Sequence, residues 1–186
     1  ATHMLSKAEP RVVAVSPECL EPARKSAVAL PGRPWFILLE GSAPDTVSLQ
    51  ALLGSSVDVE LPPYPSGDAS CLIIFTSGST GFPKGVLHSQ RNFVTAGEAN
   101  VARLWLQPDD RLMTVLPLFH VNALFYSLAG ALAAGACFVL MERFSASTFW
   151  DSALETGATT LNITEAIGRI LVAPPRSQFR PGHPIP

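Results

Sequence analysis

The stretch CLIIFTSGSTGFPKGV, residues 71–86, joins an apolar run to a loop rich in glycine and hydroxyl side chains. The apolar run predicts a buried strand ending at Thr76. Glycine permits positive φ and lets backbone N–H groups approach phosphate oxygens, and short hydroxyl side chains add donors. Lys84 adds a compact positive charge, and Pro83 stiffens the return of the chain. The loop is therefore predicted to bind a polyphosphate through Thr76, Ser77, Gly78, Ser79, Thr80, Gly81 and Lys84.

Two other interpretations of this loop fit the residues less well. A stretch rich in glycine and serine can be a flexible linker. A linker, however, rarely follows a buried strand directly or ends in Pro-Lys-Gly. A P-loop of the nucleotide-triphosphate type needs Gly-x-x-x-x-Gly-Lys-Ser/Thr. Here Lys84 lies between Pro83 and Gly85, so that template does not match.

Short apolar runs alternate with helical patterns along the chain, which is typical of a sheet covered by helices. The runs are almost continuously apolar, as expected for strands that are covered on both faces. Strands are predicted at residues 11–15, 35–40, 71–76, 112–116, 137–141 and 159–163. Helices are predicted at residues 18–28, 90–105, 121–134, 148–155 and 165–172. We therefore predict an α/β fold with a mostly parallel sheet.

Residues 121–141 form the longest apolar stretch, close to the roughly 20 residues that a membrane-spanning helix needs. Gly130 and Gly135 interrupt this stretch, Asn122 lies near its start, and residues 137–139 favour a strand. A buried helix, a glycine stop and a buried strand therefore fit better than a transmembrane segment. Residues 61–68 contain three prolines, which lack ladder donors, and are predicted to be an ordered connection.

The composition excludes several classes of partner. The chain has 13 basic and 15 acidic residues and a net charge of −2, which provides no basic field for nucleic acid. Cys19, Cys71 and Cys137 lie far apart without metal-type spacing, and their odd number argues against a disulfide framework. No secretory signal pattern begins the chain. We expect a cytoplasmic protein, and the sequence does not indicate an oligomeric state.

The segment Thr76-Ser77-Gly78-Ser79-Thr80-Gly81-Phe82-Pro83-Lys84-Gly85-Val86 resembles the signature loop of the adenylate-forming superfamily. That superfamily contains acyl- and aryl-CoA synthetases, nonribosomal-peptide adenylation domains and beetle luciferases. Downstream, Leu116-Pro117-Leu118-Phe119-His120 resembles the next core motif of these enzymes, where an aromatic residue and a histidine border the acyl pocket. The resemblance implies that the α/β fold is part of the large domain of an adenylate-forming enzyme.

The resemblance also implies two half-reactions at one active site. A substrate carboxylate attacks the α-phosphorus of ATP to give an acyl-adenylate and pyrophosphate, and a thiol of CoA or of a carrier protein then attacks the acyl carbon. The loop would hold the β- and γ-phosphates and offset charge on the leaving pyrophosphate. Mg²⁺ is expected with ATP, although no protein ligand for a metal is evident.

Further roles follow from the resemblance. Lys84 and His120 are the predicted catalytic residues, and the predicted substrate pocket contains Phe119, His120 and Asn122. Leu124 and Phe125 are further candidates for the wall of this pocket, and an apolar lining indicates an aliphatic or aromatic acid. His88 is predicted to lie at the start of the following helix, with Ser89 as its cap and no role in the chemistry.

The resemblance also sets expectations about the extent of the chain. Residues 1–4, Ala-Thr-His-Met, are by their own sequence expected to be a remnant of an expression tag. The resemblance implies that residues 5–186 are a central fragment of the AMP-binding large domain without the small C-terminal domain. Thr164 and Glu165 lack the preceding Tyr-Gly of the family's Tyr-Gly-x-Thr-Glu motif and are predicted to begin a helix. The 186-residue chain alone is expected not to form an acyl-adenylate.

An acyl-CoA synthetase, which joins a carboxylic acid to CoA, is the function that these features favour, and the sequence does not indicate which acid. One alternative is an amino-acid or acyl adenylation domain that loads a carrier protein. An amino-acid site would need an acidic residue for the substrate ammonium, and none lies near His120 in sequence. A second alternative is a non-adenylating homologue that binds a nucleotide or an acyl-adenylate.

Overall fold

The computed structural model describes residues 1–56, 60–76 and 81–173. The chain divides into two compact units. The first unit contains Ala1–Pro65 and Phe75–Leu87, and the second contains Ser66–Ile74 and the chain from His88 onward. Strands β4 (Ser70–Thr76) and β5 (Lys84–Ser89) form a two-stranded sheet, and each strand has residues in both units.

The first unit is built around a small parallel sheet. Its strands are β1 (Val12–Val15), β2 (Trp35–Leu38) and β3 (Val47–Ser48), in the order β1-β2-β3. Its helices are α1 (Thr2–Ala8), a 3₁₀ turn (Pro17–Cys19), α2 (Leu20–Ala27) and α3 (Leu49–Gly54). The apolar face of α2 and the end of β2 supply the buried side chains Leu20, Ala27 and Leu38.

The second unit contains a second parallel sheet and the longer helices. Its strands are β6 (Arg111–Thr114), β7 (Cys137–Leu140) and β8 (Thr160–Asn162), in the order β7-β6-β8. Its helices are α4 (Gln90–Leu104), a π-helix (Asn122–Leu128), α5 (Ala129–Ala134), α6 (Phe149–Glu155) and α7 (Glu165–Val172). Parallel strands joined by helices are the arrangement that the alternating sequence pattern predicts.

The central strand β6 is covered on both faces because neighbouring side chains of a strand point to opposite sides. Met113 packs on one face with Phe149, Ala153, Ala158 and Leu171. Leu112 packs on the other face with Leu106 and Ala131. Coverage of both faces, which the apolar runs predict, therefore holds for β6. It fails for the first unit, where Val12 is 48% and Trp35 71% exposed.

Several predicted boundaries are confirmed. Helix α7 has the predicted bounds, and α4 begins after Ser89, whose side-chain oxygen accepts a hydrogen bond from the backbone N–H of Asn92. The predicted helix at 121–134 is present, but its first half is a π-helix. Gly135 ends it at φ 67°, and β7 follows, as predicted.

Other elements differ from the prediction. His88 lies in β5, so the prediction that it begins the next helix is wrong. The chain remains extended through Lys84–Ser89 because this segment pairs with β4, a contact that its own sequence does not reveal. Three short elements, each of seven residues or fewer, were not predicted from the sequence: α1, β3 and α3. Among the described residues, no helix is both long and apolar enough to cross a membrane.

Candidate functional site

The predicted phosphate loop connects β4 to β5. Thr76 ends β4, Lys84 begins β5, and the Thr76 hydroxyl donates to the Lys84 backbone carbonyl at 3.4 Å. The Lys84 side chain is exposed, and Gly81 has a φ of 94°, a conformation that disfavours residues with a Cβ. Ser77, Gly78, Ser79 and Thr80 lie outside the described residues, so their predicted contacts with phosphate stay predictions.

The exit of the loop packs against the N-terminal helix of the same unit. The ring centroids of His3 and Phe82 lie 5.0 Å apart, and the His3 Nε2 lies 3.1 Å from the carbonyl oxygen of Pro83. An Nε2–H group would donate that hydrogen bond. Helix α1 therefore supports the turn that leads into Lys84, and it includes residues that the sequence analysis assigned to a tag.

The second predicted motif lies in the other unit, in the segment that follows β6. The rings of Phe119 and His120 are in contact, with centroids 4.5 Å apart and planes tilted by 50°. The His120 backbone N–H donates to the Pro117 carbonyl at 3.0 Å, which closes a turn. Phe119 is 72% exposed, and His120 is exposed as well. Both side chains are therefore available to a ligand at the surface of this unit.

An open cleft of about 510 Å³ lies beside this segment, at the carboxyl ends of β6 and β7. Ligands of open α/β sheets bind at the carboxyl ends of parallel strands. The cleft is largely apolar and carries one carboxylate, that of Glu142. Its lining residues are Val115, Leu116, Pro117, Leu118, Leu140, Met141 and Glu142. Phe119, His120 and Asn122 follow this lining in sequence but do not belong to it.

Asn122 belongs to a polar network under the same segment. Its backbone carbonyl accepts a hydrogen bond from the Asn162 Nδ2 at 3.1 Å, and the same Nδ2 donates to the Ser127 Oγ at 2.7 Å. The Asn122 Oδ1 is buried and has no hydrogen-bond partner among the described residues. Buried polar atoms normally have a hydrogen-bond partner. The Oδ1 of Asn122 therefore remains available to accept a hydrogen bond from a donor outside the described residues.

The network continues to the end of β6. The Thr114 hydroxyl donates to the Asn162 backbone carbonyl and accepts from the Leu116 N–H, both at 3.1 Å. Thr114, Ser127 and Asn162 were not predicted from the sequence as site residues. The sequence does contain a signal for them, since each is a polar residue within or directly after an apolar run. The structure shows that Thr114 and Ser127 are each only 1% exposed.

Phe125 was a candidate for the wall of the substrate pocket, but its ring packs inside the second unit. It is 5% exposed, and its ring lies 4.8 Å from that of His88 and 5.6 Å from that of Phe93. These contacts place Phe125 in the packing between β5, α4 and the π-helix of the second unit. His88 thus packs against Phe125 within the second unit.

The described part of the chain contains no set of side chains that could hold a metal ion. No group of three or more His, Cys, Asp or Glu side chains there has a suitable arrangement. Thr164 caps α7, with its hydroxyl accepting from the Ile167 N–H at 3.5 Å, and Glu165 pairs with Arg169 at 2.6 Å. The prediction that Thr164 and Glu165 begin a helix is confirmed.

The model of the AMP-binding enzyme family matches residues 1–183. The chain belongs to the AMP-binding enzyme family. The sequence-based resemblance to adenylate-forming enzymes is thereby confirmed. The family match also includes the residues around Lys84 and His120, which lie in the two motifs that carry the resemblance.

Individual members of this family are similar to the chain over different lengths. A sulfoacetate–CoA ligase of Cupriavidus necator is 38% identical over 181 residues, which cover 97% of this chain and 35% of that protein. A crotonobetaine/carnitine–CoA ligase of Shigella flexneri is 40% identical over 120 residues, 64% of this chain and 23% of that protein. The chain thus spans about a third or less of the length of these relatives.

Solved structures show the same fold. The crystal structure of ATP-bound MatB from Rhodopseudomonas palustris superimposes with a TM-score of 0.78 at 22% identity, covering 94% of this chain and 34% of that protein. At this identity the likeness supports the fold alone. The predicted α/β class is confirmed.

Proposed function

We propose that the protein is an AMP-forming carboxylate–CoA ligase. The observation that carries the proposal is the 38% identity with a CoA ligase across 97% of the chain. That similarity extends over both predicted motifs, the phosphate loop in the first unit and residues 116–120 in the second. The second relative is also named for a CoA ligase reaction.

The proposed reaction has two steps. In the first, an oxygen of the substrate carboxylate forms a bond to the α-phosphorus of ATP, and the bond to the oxygen bridging to the β-phosphorus breaks, which releases pyrophosphate. In the second, the thiol sulfur of CoA bonds to the acyl carbon, AMP leaves with the electron pair of the broken C–O bond, and the thiol proton passes to solvent. ATP and CoA are thus both co-substrates.

The chain's own residues would stabilise the negative charge on the leaving group and orient the reacting acid. The Lys84 ammonium lies at the exit of the glycine-rich loop and would offset negative charge that grows on the leaving pyrophosphate. His120 is exposed, follows the cleft-lining residues 115–118 in sequence, and would orient the carboxylate or the acyl carbon. Magnesium would accompany the nucleotide, and since the described residues offer no ligand set for it, we assign it no step.

We propose short polar carboxylic acids as the first substrates to test. The two relatives carry names that refer to sulfoacetate and to crotonobetaine or carnitine, all small acids with a second charged group. The cleft of about 510 Å³ is mostly apolar, but Glu142 gives its rim one negative charge. That charge favours an acid with a cationic group over one with a second anion.

The test uses the full-length protein with ATP, Mg²⁺ and CoA and a panel of acids containing sulfoacetate, crotonobetaine, octanoate and benzoate. Acid-dependent release of AMP and pyrophosphate, together with an acyl-CoA detected by mass spectrometry, is the expected result. A holo carrier protein in place of CoA tests the alternative acceptor. If no acid stimulates ATP–pyrophosphate exchange above background, the proposed ligase activity is wrong.

A further inference from the structure

The π-helix Asn122–Leu128 is the least regular element beside the proposed acid site. The backbone N–H of Ala129 donates to the carbonyl of Leu124, five residues earlier, instead of to a carbonyl four residues earlier. Such segments are rare and short, and they occur frequently at functional sites. This one begins two residues after His120, and its first residue is Asn122. Its geometry therefore determines where both residues lie.

One side of the π-helix is held by Asn162 at the end of β8. The Nδ2 of Asn162 donates to the Asn122 carbonyl at 3.1 Å and to the Ser127 hydroxyl at 2.7 Å. These two acceptors are five residues apart in sequence, the same separation as in a π-type hydrogen bond. Asn162 therefore ties the first residue of the π-helix to a residue one π-turn later.

The other side of the π-helix is held by Asn100 of α4. Asn100 is 9% exposed, and its Nδ2 donates to the backbone carbonyl of Tyr126. A Cβ at position 130 would lie 2.9 Å from this Nδ2, so glycine at that position leaves room for the amide. Asn100 does not line the cleft, which is formed by residues 115–118 and 140–142. Any effect of Asn100 on the acid must therefore pass through the π-helix.

We propose that Asn100 and Asn162 are positioning residues for the acid site, because their side-chain amides hold residues 122–128 in the π form. The proposal rests on the proposed ligase function and adds to it a source of acid recognition. Without these donors, the carbonyl groups of Asn122 and Tyr126 lose their side-chain partners in a partly buried environment. Residues 122–128 could then rewind toward an α-helix, which would displace Asn122 and His120.

The test compares two variants of neighbouring residues on α4 in the full-length protein. Asn100→Leu removes the donor to Tyr126 at similar volume. Val101→Ala is the matched control, since Val101 packs against Leu106, Leu112 and Ala131 and has no part in the π-helix contact. KM for the acid of the panel that the wild type activates best is measured beside KM for ATP and the midpoint of thermal unfolding.

We expect Asn100→Leu to raise KM for the acid at least 10-fold while KM for ATP changes less than 2-fold. Val101→Ala should lower the unfolding midpoint with both KM values within 2-fold of wild type. An unchanged KM for the acid in Asn100→Leu would overturn the proposal. Ser127→Ala removes only one of the two acceptors of Asn162 and should raise KM for the acid about 3-fold. Ser127→Ala is a small substitution, so KM for the acid can still be measured in this variant if Asn100→Leu does not fold.

Hydrogen exchange separates this proposal from the ligase function. Peptides covering residues 119–128 should exchange at least 10-fold faster in Asn100→Leu than in wild type, and at the wild-type rate in Val101→Ala. This readout needs no substrate. A wild-type protein that activates no acid would contradict the ligase function, whereas unchanged exchange in Asn100→Leu would contradict the role of Asn100 alone.

Discussion

The side-chain hydroxyl of Thr114 donates to the backbone carbonyl of Asn162 at 3.1 Å, and the two residues are register partners at the ends of β6 and β8. The same hydroxyl accepts a hydrogen bond from the Leu116 N–H at 3.1 Å. Thr114 therefore joins the end of the sheet to the segment that leads to Phe119 and His120. Because Thr114 is only 1% exposed, water cannot easily replace either bond.

Replacement of Thr114 by valine should destabilise the protein. Valine has nearly the same shape but leaves the Asn162 carbonyl and the Leu116 N–H without this partner. A buried donor or acceptor without a hydrogen-bond partner costs about 1–3 kcal/mol, so we expect the free energy of unfolding to fall by about that amount. Urea denaturation followed by circular dichroism measures it.

Thr160→Val is the matched control for this prediction. Thr160 lies two residues before Asn162 on β8 and is half-buried, and within the described residues its hydroxyl forms no hydrogen bond. We expect Thr160→Val to change the free energy of unfolding by less than about 0.5 kcal/mol. Equal losses in the two variants would show that the Thr114 hydroxyl has no special role.

Replacement of Lys84 by alanine should weaken the adenylation step more than the thiolation step. The ammonium would stabilise charge on pyrophosphate, which forms only in the first half-reaction. Removing one such electrostatic contact typically lowers the rate about 100-fold or more. We expect that loss in carboxylate-dependent ATP–pyrophosphate exchange, and less than about a 3-fold loss in acyl transfer to CoA from supplied acyl-adenylate.

Lys25→Ala is the control for Lys84, because Lys25 is an exposed lysine on α2. Both half-reactions should stay within 2-fold of wild type in that variant. Similar losses in adenylation and thiolation for Lys84→Ala would contradict the assigned role.

Local signals account for the parts of the fold that the sequence predicts correctly. Helix α7 begins after Thr164 and α4 after Ser89, and both caps are hydrogen-bonded to the backbone N–H three residues later. Gly135 ends α5 in the left-handed conformation. These features involve residues that are close in sequence, so pattern analysis can find them. The phosphate loop is recognisable for the same reason, since its chemistry lies in one continuous stretch.

The parts that the sequence analysis missed depend on contacts between distant residues. Strand β5 extends through His88 because β4 pairs with it. The π-helix has the same apolar pattern as an α-helix, and the side chains that distinguish the two, Asn100 and Asn162, come from α4 and β8. Thr114 and Asn162 are 48 residues apart. Each of these residues can be read from the sequence, but the distant residue that it contacts cannot.

Replacement of Gly97 by alanine should also destabilise the protein, through the packing of α4 on α5. A Cβ at position 97 would lie 2.4 Å from the carbonyl oxygen of Ala129, a backbone atom that cannot move alone. Overpacking of this kind costs about 1–3 kcal/mol. Thermal or urea unfolding measures the loss. Gly54→Ala is the control, since no atom lies within 4 Å of a Cβ there, and we expect it to be neutral or slightly stabilising.

Asp110, just before β6, should make the stability of the protein depend on pH. Its Oδ1 accepts from the Thr159 hydroxyl and its Oδ2 from the Gln107 backbone N–H, both at 2.7 Å. The hydrogen bond from Thr159, followed by that from Gln107, lowers the pKa of Asp110 below its ordinary value. Since the folded-state pKa is the lower one, the ionised carboxylate stabilises the fold above the unfolded pKa of about 4.

This contribution should be lost as the pH falls through the lowered folded-state pKa. Asp110→Asn places an amide N–H opposite one of the two donors, and we expect it to cost about 1 kcal/mol at pH 7, a value reduced for the partly exposed carboxylate. The difference from wild type should begin to shrink below about pH 4, where the unfolded carboxylate becomes protonated, and should disappear once the pH lies below the lowered folded-state pKa. Urea unfolding at pH 7, 5 and 3 measures it, with the exposed neighbour Asp109→Asn as control. A difference that stays constant over this range would show that the charge on Asp110 is not what stabilises this end of the sheet.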